Sequence, residues 1–337
     1  MGLVAVAGAA AISALIGVFA LPISERLGIL DAPDGKRKIH PTITPLAGGL
    51  AIALPTLLAL LHGALTTDFL PLYLTVAAAG MACLLLGLLD DRAHIRPIYR
   101  LLLSLLMALA VLEVVPALLV TFLHISFLGQ AVFLGPFALV FTAICIVGLQ
   151  NAINMADGKN GLVIGLSLFW CLELLLFAPD HLRLVLLSLG AALVVTLAFN
   201  LRGRLFLGDS GSYFLSFTFA LLTVYVYDTT FATLPADLVA LWFLIPIADC
   251  LRVMAVRVAR GSSPFASDRS HLHHFLYRRM PWRWGLLIYL GLAGLPGLLA
   301  SFAPGTALAW GIAAISCYGV IVAWPDRRRQ EAGGRAK

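Results

Sequence analysis

The stretch that decides the fold class is FLPLYLTVAAAGMACLLLGLLDDRAH, residues 69–94. Residues 69–89 carry no charge, and a run of that length lets an α-helix cross the hydrocarbon core of a bilayer. The run ends in two adjacent acids, Asp90 and Asp91. Carboxylates at the carboxyl end of a helix meet the negative end of its dipole, which is unfavourable. The stretch therefore predicts a transmembrane helix whose acidic end is either a solvated loop start beside Arg92 or a site that handles a cation or a proton, and the unfavourable dipole favours the second.

Similar apolar runs recur along the whole chain. Of the 337 residues, 61% are hydrophobic and 12% are charged, whereas a soluble domain carries about 25% charged residues. We predict an all-α, polytopic integral membrane protein with about eleven transmembrane helices, ten being the alternative. The predicted spans are 2–23, 45–63, 69–89, 99–116, 136–152, 161–178, 184–200, 212–228, 237–256, 284–301 and 306–324. We expect residues 1–324 to form one transmembrane domain, followed by a basic cytoplasmic tail, 325–337.

The positive charges fix the expected orientation. When the loops are assigned alternately to the two sides, all but one of the 23 lysines and arginines fall on one side. Arg183 is the exception. Lys and Arg concentrate in cytoplasmic loops, so we expect the N-terminus outside and the C-terminus inside. The net charge of +6 is then a topology signal, and we expect no nucleic acid as partner.

Polar clusters lie in the predicted cytoplasmic segments, where we expect the active site. In NAINMADGKNGL, residues 151–162, Asn151, Asn154 and Asp157 recur every three residues and share one helical face. A turn with a helix cap explains only part of this pattern. In FLGDSGS, residues 206–212, Asp209 and two serines are candidate caps of the next helix. Free N–H groups at such a helix start would also suit a phosphate, and the acid would suit Mg²⁺.

The last two clusters are basic. HLHH, residues 271–274, stands beside arginines 269, 278 and 279, which favours an anion site over a zinc cage; a basic helix on anionic lipid is the alternative. GKRKIHPTITPLAGG, residues 35–49, carries three cations that positive-inside anchoring explains without a catalytic role. Its Gly48-Gly49 pair indicates tight helix packing or close backbone approach. Together the clusters favour phosphoryl transfer onto a lipid.

Two other classes stay open at this point. A transporter would use Asp90, Asp91 and Asp249 as proton or cation sites, although transporters place such groups near the midplane. Asp249 has a simpler explanation, because Arg252 lies one turn further on. A CDP-alcohol phosphatidyltransferase would carry a different Asp- and Gly-rich signature.

These motifs resemble the polyprenyl-phosphate N-acetylhexosamine-1-phosphate transferase family, the group of WecA, TagO and MraY. HPTITPLAGG, LGLLDDR, NAINMADGKNGL, FLGDSGS and SPFASDRSHLHH follow the family order over residues 31–279, and the last is similar to the WecA-like branch. The resemblance implies transfer of N-acetylhexosamine 1-phosphate, most commonly GlcNAc-1-phosphate, from a UDP-sugar to undecaprenyl phosphate with release of UMP. Such a reaction opens the assembly of a cell-surface polysaccharide, such as the O-antigen of lipopolysaccharide. UDP-FucNAc and UDP-QuiNAc are alternative donors.

The resemblance also implies roles for particular residues. Asp90, Asp91, Asp157 and His271 would be catalytic, with one of the acid pair as general base. Asp209 and Asp157 would hold Mg²⁺, with Mn²⁺ as an alternative. The substrate-binding residues would be Asn154, Asn160, Phe206, Arg269, His273, His274, Lys38 and Arg100. Whether transfer is a single displacement or passes through an aspartyl intermediate stays open.

Two residues depart from the common bacterial pattern. Asn160 stands where many relatives have Asp at the uracil edge, although an amide can pair with uracil as donor and acceptor. Arg100 stands where many have Lys, and the two cations are not equivalent at a tight phosphate site. The implied location is the bacterial inner membrane. The implied partners are the two substrates and membrane lipid, with a homodimer as an open alternative.

Overall fold

The computed structural model describes residues 2–32, 43–230, 232–265 and 269–324. In these ranges the chain forms fourteen α-helices and two short antiparallel strand pairs. The helices α1 to α14 are Gly2–Val18, Ala20–Leu27, Gly48–Thr66, Leu70–Ala93, Pro97–Val114, Ala138–Ala156, Leu162–Phe177, Asp180–Leu201, Gly208–Thr230, Ala236–Trp242, Leu244–Ala259, Leu272–Arg279, Trp282–Ser301 and Ala307–Ala323. Strand β1, Leu30–Asp31, pairs with β2, Thr44–Pro45. Strand β3, Phe122–Leu123, pairs with β4, Val132–Phe133.

The helices match the predicted spans. Eight helical segments of the described residues are long and apolar enough to cross a membrane, and two bent pairs raise the number to ten. The pairs are α1 with α2, bent by 69°, and α10 with α11, bent by 68°. The one remaining predicted span, 161–178, corresponds to α7, which is apolar but has only 16 residues. The prediction of an all-α, multi-pass membrane protein is confirmed.

Helix α9 is the central column of the bundle. Its 18-residue apolar window is entirely buried, and it packs against α3, α4, α6 and α7. A helix surrounded on all sides must be apolar or self-satisfied on every face. Large apolar residues cover most of α9, and Ser216 donates its hydroxyl hydrogen bond to the Ser212 carbonyl of the same helix at 2.6 Å. Helix α9 is therefore enclosed by neighbouring helices on several sides.

Two chain segments that are distant in the sequence meet at the start of α9. The N–H groups of Gly48 and Gly49, which open α3, donate to the carbonyls of Phe206 and Leu207 at 3.0 and 2.9 Å. The Phe206 N–H donates in turn to the Pro45 carbonyl at 2.9 Å. The predicted backbone approach at the glycine pair is thus confirmed. These bonds bring the HPTITPLAGG and FLGDSGS segments together at one end of the bundle.

Candidate active site

Asp91 caps helix α9 from the end of helix α4. Its carboxylate accepts hydrogen bonds from the N–H groups of Asp209, at 2.8 Å, and Ser210, at 3.1 Å. The acid that stands at the unfavourable end of its own helix dipole therefore stands at the favourable end of another. The two N–H groups that we expected to be free for a phosphate are occupied by Asp91, so that expectation was wrong. The capping carboxylate comes from α4 and not from the FLGDSGS segment.

Two glycines make this contact possible. At Gly87 an added Cβ would stand 2.3 Å from the Ser210 Cα and 2.5 Å from the Asp209 carbonyl oxygen, so α4 and α9 meet backbone to backbone. Gly208 has a φ of +76°, which disfavours L side chains, and a Cβ there would stand 2.8 Å from the Asp91 carboxylate. The spacing between the acid pair and Asp209 is therefore set by the main chain.

Asp90 is buried in a polar pocket of its own. It is 3% exposed and accepts hydrogen bonds from the Ile95 N–H, at 2.8 Å, and the Tyr213 hydroxyl, at 3.2 Å. The Arg100 guanidinium forms an ion pair with it, and the same guanidinium lies 4.0 Å from the Asp209 carboxylate. A buried carboxylate with these partners holds Arg100 beside Asp209.

Asp209 also contacts the third motif. The Asn154 amide donates to its carboxylate at 2.6 Å and to the Ser212 hydroxyl at 3.1 Å. Asn151 does not join this group, because its amide donates to the Val147 carbonyl of its own helix at 2.8 Å. Of the three residues that share a helical face in the sequence, only Asn154 and Asp157 therefore belong to the acidic site.

Asp157 completes a group of acids. It follows the last residue of α6, and its N–H bonds to the Ile153 carbonyl at 3.0 Å. The pKa of Asp157 is raised to about 8, mainly by burial and in addition by the negative charges of Asp209 and Asp91. A cation among these acids would favour their ionised forms. The four carboxylates thus form an acidic cluster, which we define as Asp90, Asp91, Asp157 and Asp209.

The acidic cluster suits a magnesium ion whose coordination shell is completed by water and a phosphorylated substrate. Within the described ranges, no three His, Cys, Asp or Glu side chains are arranged to hold a metal on their own. Mg²⁺ commonly binds through one or two carboxylates and completes its shell with water and substrate phosphates. Asp209 and Asp157 supply two such oxygen donors. The residues present therefore suit an ion that arrives with, or is completed by, a phosphorylated substrate.

A second, basic cluster begins at Lys159, two residues after Asp157. The His273 ring packs on Gly158, where an added Cβ would stand 2.2 Å from the His273 Nε2. The Lys159 ammonium lies 3.5 Å from the centroid of the Tyr277 ring, and Trp282 donates its indole hydrogen bond to the Asn160 carbonyl at 2.7 Å. The loop 157–161 thus carries an acid on one side and packs against α12 and α13 on the other.

The histidines of HLHH differ in their surroundings. His271 and His273 are buried, and their parallel rings lie 5.6 Å apart, whereas His274 is half-buried. Burial lowers the pKa of His273 well below its ordinary value. Burial, with His271, Lys159, Arg278 and Arg269 nearby, lowers the pKa of His274 to about 4. We define the basic cluster as Lys159, Arg269, His271, His273 and His274.

Three further predicted site residues, Arg269, Phe206 and Asn160, lie in or near the segments that carry the two clusters. Arg269 precedes α12. Burial lowers the pKa of Lys159, and the positive charge of Arg269 lowers it further. Phe206 is half-buried between the Pro45 and Gly48 backbone contacts. Asn160 is partly accessible in the loop between the two clusters. Lys38 and the tail 325–337 lie outside the described residues.

Sequence reasoning missed several contributors. Tyr213 was assigned no role and Ser212 was considered only as a helix cap, although both contact the acids or their amide partner. Asp249 was expected to pair with Arg252, and it does so at 2.8 Å, but it also bonds to His271 at 2.9 Å. A lone acid in an apolar span was the available signal for Asp249. Its partner across the fold, 22 residues away, was not readable.

Comparison with known proteins identifies the family. The model of glycosyl transferase family 4 matches residues 73–227, which contain the acid pair, the third motif and Asp209. The chain is 32% identical over 273 residues to the undecaprenyl-phosphate alpha-N-acetylglucosaminyl 1-phosphate transferase of Yersinia pestis, covering 76% of this chain and 71% of that one. It is 30% identical over 275 residues to the protein of the same name from Escherichia coli strain K12, covering 77% and 72%. A probable undecaprenyl-phosphate N-acetylglucosaminyl 1-phosphate transferase of Bacillus subtilis strain 168 is 30% identical over 261 residues, covering 75% and 71%.

These relatives agree with the resemblance drawn from the motifs. The transporter hypothesis has no support, since the matched region is that of a transferase family and Asp249 is fully engaged in hydrogen bonds within the bundle. The chain therefore belongs to glycosyl transferase family 4, together with the undecaprenyl-phosphate N-acetylglucosaminyl 1-phosphate transferases that it resembles.

Proposed function

We propose that the chain transfers N-acetylglucosamine 1-phosphate from UDP-GlcNAc to undecaprenyl phosphate and releases UMP. One observation carries the proposal. The acidic cluster at the ends of α4, α6 and α9 lies across the loop 157–161 from the basic cluster. A reaction between two phosphorylated substrates needs groups that bind a divalent cation and groups that neutralise phosphate, side by side. The names of the relatives supply the sugar and the lipid.

In the proposed reaction, an oxygen of the lipid phosphate attacks the β-phosphorus of the donor. The bond between that phosphorus and the bridging oxygen breaks, and UMP leaves with that oxygen. A phosphate monoester has its second pKa near 6, so the acceptor is mostly a dianion at pH 7 and needs little help from a base. Mg²⁺, or Mn²⁺, held by Asp209 and Asp157 would neutralise charge on the donor diphosphate.

The acid pair then has a positioning role in this proposal. Asp90 holds Arg100 where its guanidinium can meet the acceptor phosphate, and Asp91 holds the start of α9 and with it Asp209. Both carboxylates already accept hydrogen bonds or an ion pair, which suits orientation better than proton transfer. A general-base role for one of the pair remains the competing hypothesis.

The basic cluster would bind the donor. Arg269, His273 and His274 would contact its diphosphate and sugar, and the Asn160 amide would pair with the uracil edge. Phe206 would stack on the uracil ring, and Lys38 would contribute a further positive charge. His271 is buried and bonds to Asp249 at 2.9 Å.

The proposed setting is the cytoplasmic face of the bacterial inner membrane. All but one of the lysines and arginines fall on the side that carries the site, and such residues concentrate in cytoplasmic loops. This orientation places the N-terminus outside and the C-terminus inside. The product would be the lipid-linked first sugar of a cell-surface polysaccharide.

Purified protein in detergent tests the proposal directly. The protein is mixed with Mg²⁺, undecaprenyl phosphate and one UDP-sugar from a panel of UDP-GlcNAc, UDP-FucNAc and UDP-QuiNAc, and UMP is measured. We expect UMP from UDP-GlcNAc only when the lipid is present. Faster release from another sugar would reassign the donor, and no lipid-dependent UMP from any of the three would refute the proposed function.

A further inference from the structure

Asp249 is the most heavily bonded carboxylate outside the acidic cluster. It lies in α11, is 2% exposed and accepts hydrogen bonds from Arg252 and from the Tyr318 hydroxyl of α14, both at 2.8 Å. It also accepts from the His271 Nδ1 at 2.9 Å and from the Leu272 N–H, which lies 3.1 Å from each carboxylate oxygen. One buried side chain therefore joins α11, α14 and the start of α12.

The contacts to His271 and Leu272 fix the start of α12. Leu272 is the first residue of that helix and His271 precedes it as the N-cap residue. A carboxylate at this position satisfies an N–H group that the helix cannot satisfy itself, and it meets the positive end of the helix dipole. Arg252 adds a hydrogen bond to the Ser270 carbonyl just before the helix. The HLHH segment is thus anchored through Asp249.

Asp249 also selects the tautomer of His271. Because the carboxylate can only accept, the imidazole donates from Nδ1, and a neutral ring then presents Nε2 as an acceptor. Nε2 lies 3.5 Å from the Arg257 guanidinium, which can only donate. The two neighbours of the ring therefore demand the same tautomer, and the side chain is held in one orientation between them.

The anchored helix packs directly against the loop that carries Asp157. Two residues after His271, the His273 ring rests on Gly158, which directly follows Asp157. His273 is 1% exposed, and an added Cβ on Gly158 would collide with its Nε2. A displacement of the start of α12 is therefore transmitted to the loop that carries Asp157 and Lys159.

We propose that Asp249 is a positioning residue of the transferase site, which orients His271 and docks the HLHH helix against the loop 157–161. The inference rests on the proposed function, because it assigns the basic cluster to the donor. Asp249 contacts neither Asp90 nor Asp91, so its role concerns the donor side of the reaction and not the acceptor side. The competing explanation is a purely structural tie between α11 and α14.

Three variants separate these explanations. Asp249→Asn keeps the shape, but its amide would donate toward His271 and reverse the tautomer, which sets the Nε2 hydrogen against Arg257. Asp249→Glu keeps the charge for Arg252 and moves the carboxylate by one methylene. Tyr318→Phe is the matched control, since it removes the hydrogen bonds of Tyr318 to Asp249 and Arg252 and keeps the Asp249 contacts to His271 and Leu272.

The measurement is the KM for UDP-GlcNAc and for undecaprenyl phosphate, with the detergent-solubilised Tm as the check on folding. We expect both Asp249 variants to raise the donor KM about tenfold or more, because displacements near 1 Å in a binding site have effects of that size. The acceptor KM should stay within about twofold, and Tyr318→Phe should keep both values. If Asp249→Asn does not fold, Asp249→Glu alone carries the comparison.

Two results would overturn the inference. An unchanged donor KM in a folded Asp249 variant would show that Asp249 only ties α11 to α14. Equal changes in Tyr318→Phe and the Asp249 variants would give the same conclusion. Failure of the proposed function is distinct, because wild-type protein would then release no UMP from any donor of the panel.

Discussion

Adding a single methyl group at Gly87 should disable the site without removing any polar group. A Cβ at this position would stand 2.3 Å from the Ser210 Cα and 2.4 Å from its nitrogen, whereas ordinary contacts begin at 3.4 Å. In Gly87→Ala, helices α4 and α9 must therefore move apart by about 1 Å at this point. The same motion separates Asp91 from the N–H groups of Asp209 and Ser210 that it caps.

The size of the effect follows from this displacement. Overpacking of this kind costs about 1–3 kcal/mol of stability. A misplacement of 1 Å in a catalytic site can reduce the rate about 100-fold. We therefore expect Gly87→Ala to fold, with a lower Tm, and to release UMP about 100 times more slowly than the wild type.

A matched control is available in the same bundle. Gly148 lies in helix α6, and a Cβ added there would meet nothing within 4 Å. Gly148→Ala should keep the rate of UMP release, and its Tm should stay equal or rise, because alanine is the better helix former. The reasoning would be refuted if Gly87→Ala, folded in detergent, turned over within about twofold of Gly148→Ala.

Three further predictions concern charge, recognition and pH. Asp209→Asn should abolish Mg²⁺-dependent release of UMP, since it removes a carboxylate from the proposed metal site; near-normal turnover would contradict this assignment. Asn160→Ala should weaken UDP binding measured by calorimetry, and an unchanged Kd would exclude Asn160 from the uracil pocket. The pKa of His274 lies at about 4 in the folded protein and at its ordinary value of 6.5 in the unfolded chain, so acidification from pH 6.5 to 4 costs stability. The Tm of His274→Gln should therefore fall less than that of the wild type between pH 7 and pH 5. Equal decreases in Tm would show that another group is responsible. His62→Gln, at an exposed position, is the control.

The sequence predicted the helices because span length and charge asymmetry are local properties. The apolar runs define the helices, and among the described residues α7 is the only predicted span that falls short of the usual length. Bends inside the first and ninth predicted spans were not predicted, because each interrupts an apolar run that reads as continuous. The hairpin β3–β4 lies between α5 and α6 in residues 117–135, an apolar stretch that Gly129 and Gly135 interrupt.

The site was predicted as a set of residues but not as a set of contacts. Asp90, Asp91, Asn154, Asp157 and Asp209 meet as expected from their motifs, yet the partner of each acid was not readable from the chain. Asp91 seemed misplaced because its compensating dipole belongs to α9, more than a hundred residues later. For the same reason, Asp249 read as a local partner of Arg252, while its bonds to His271 and Tyr318 depend on the packing of three helices.

The most direct test of the central claim follows the β-phosphate of the donor. UDP-GlcNAc labelled with ³²P at the β-phosphorus is incubated with the purified protein, Mg²⁺ and undecaprenyl phosphate, and the lipid and nucleotide fractions are separated. Transfer of the sugar phosphate predicts that the label appears in the lipid in step with the release of unlabelled UMP. Label that stays in the nucleotide fraction as UDP, with only the sugar moved to the lipid, would contradict it.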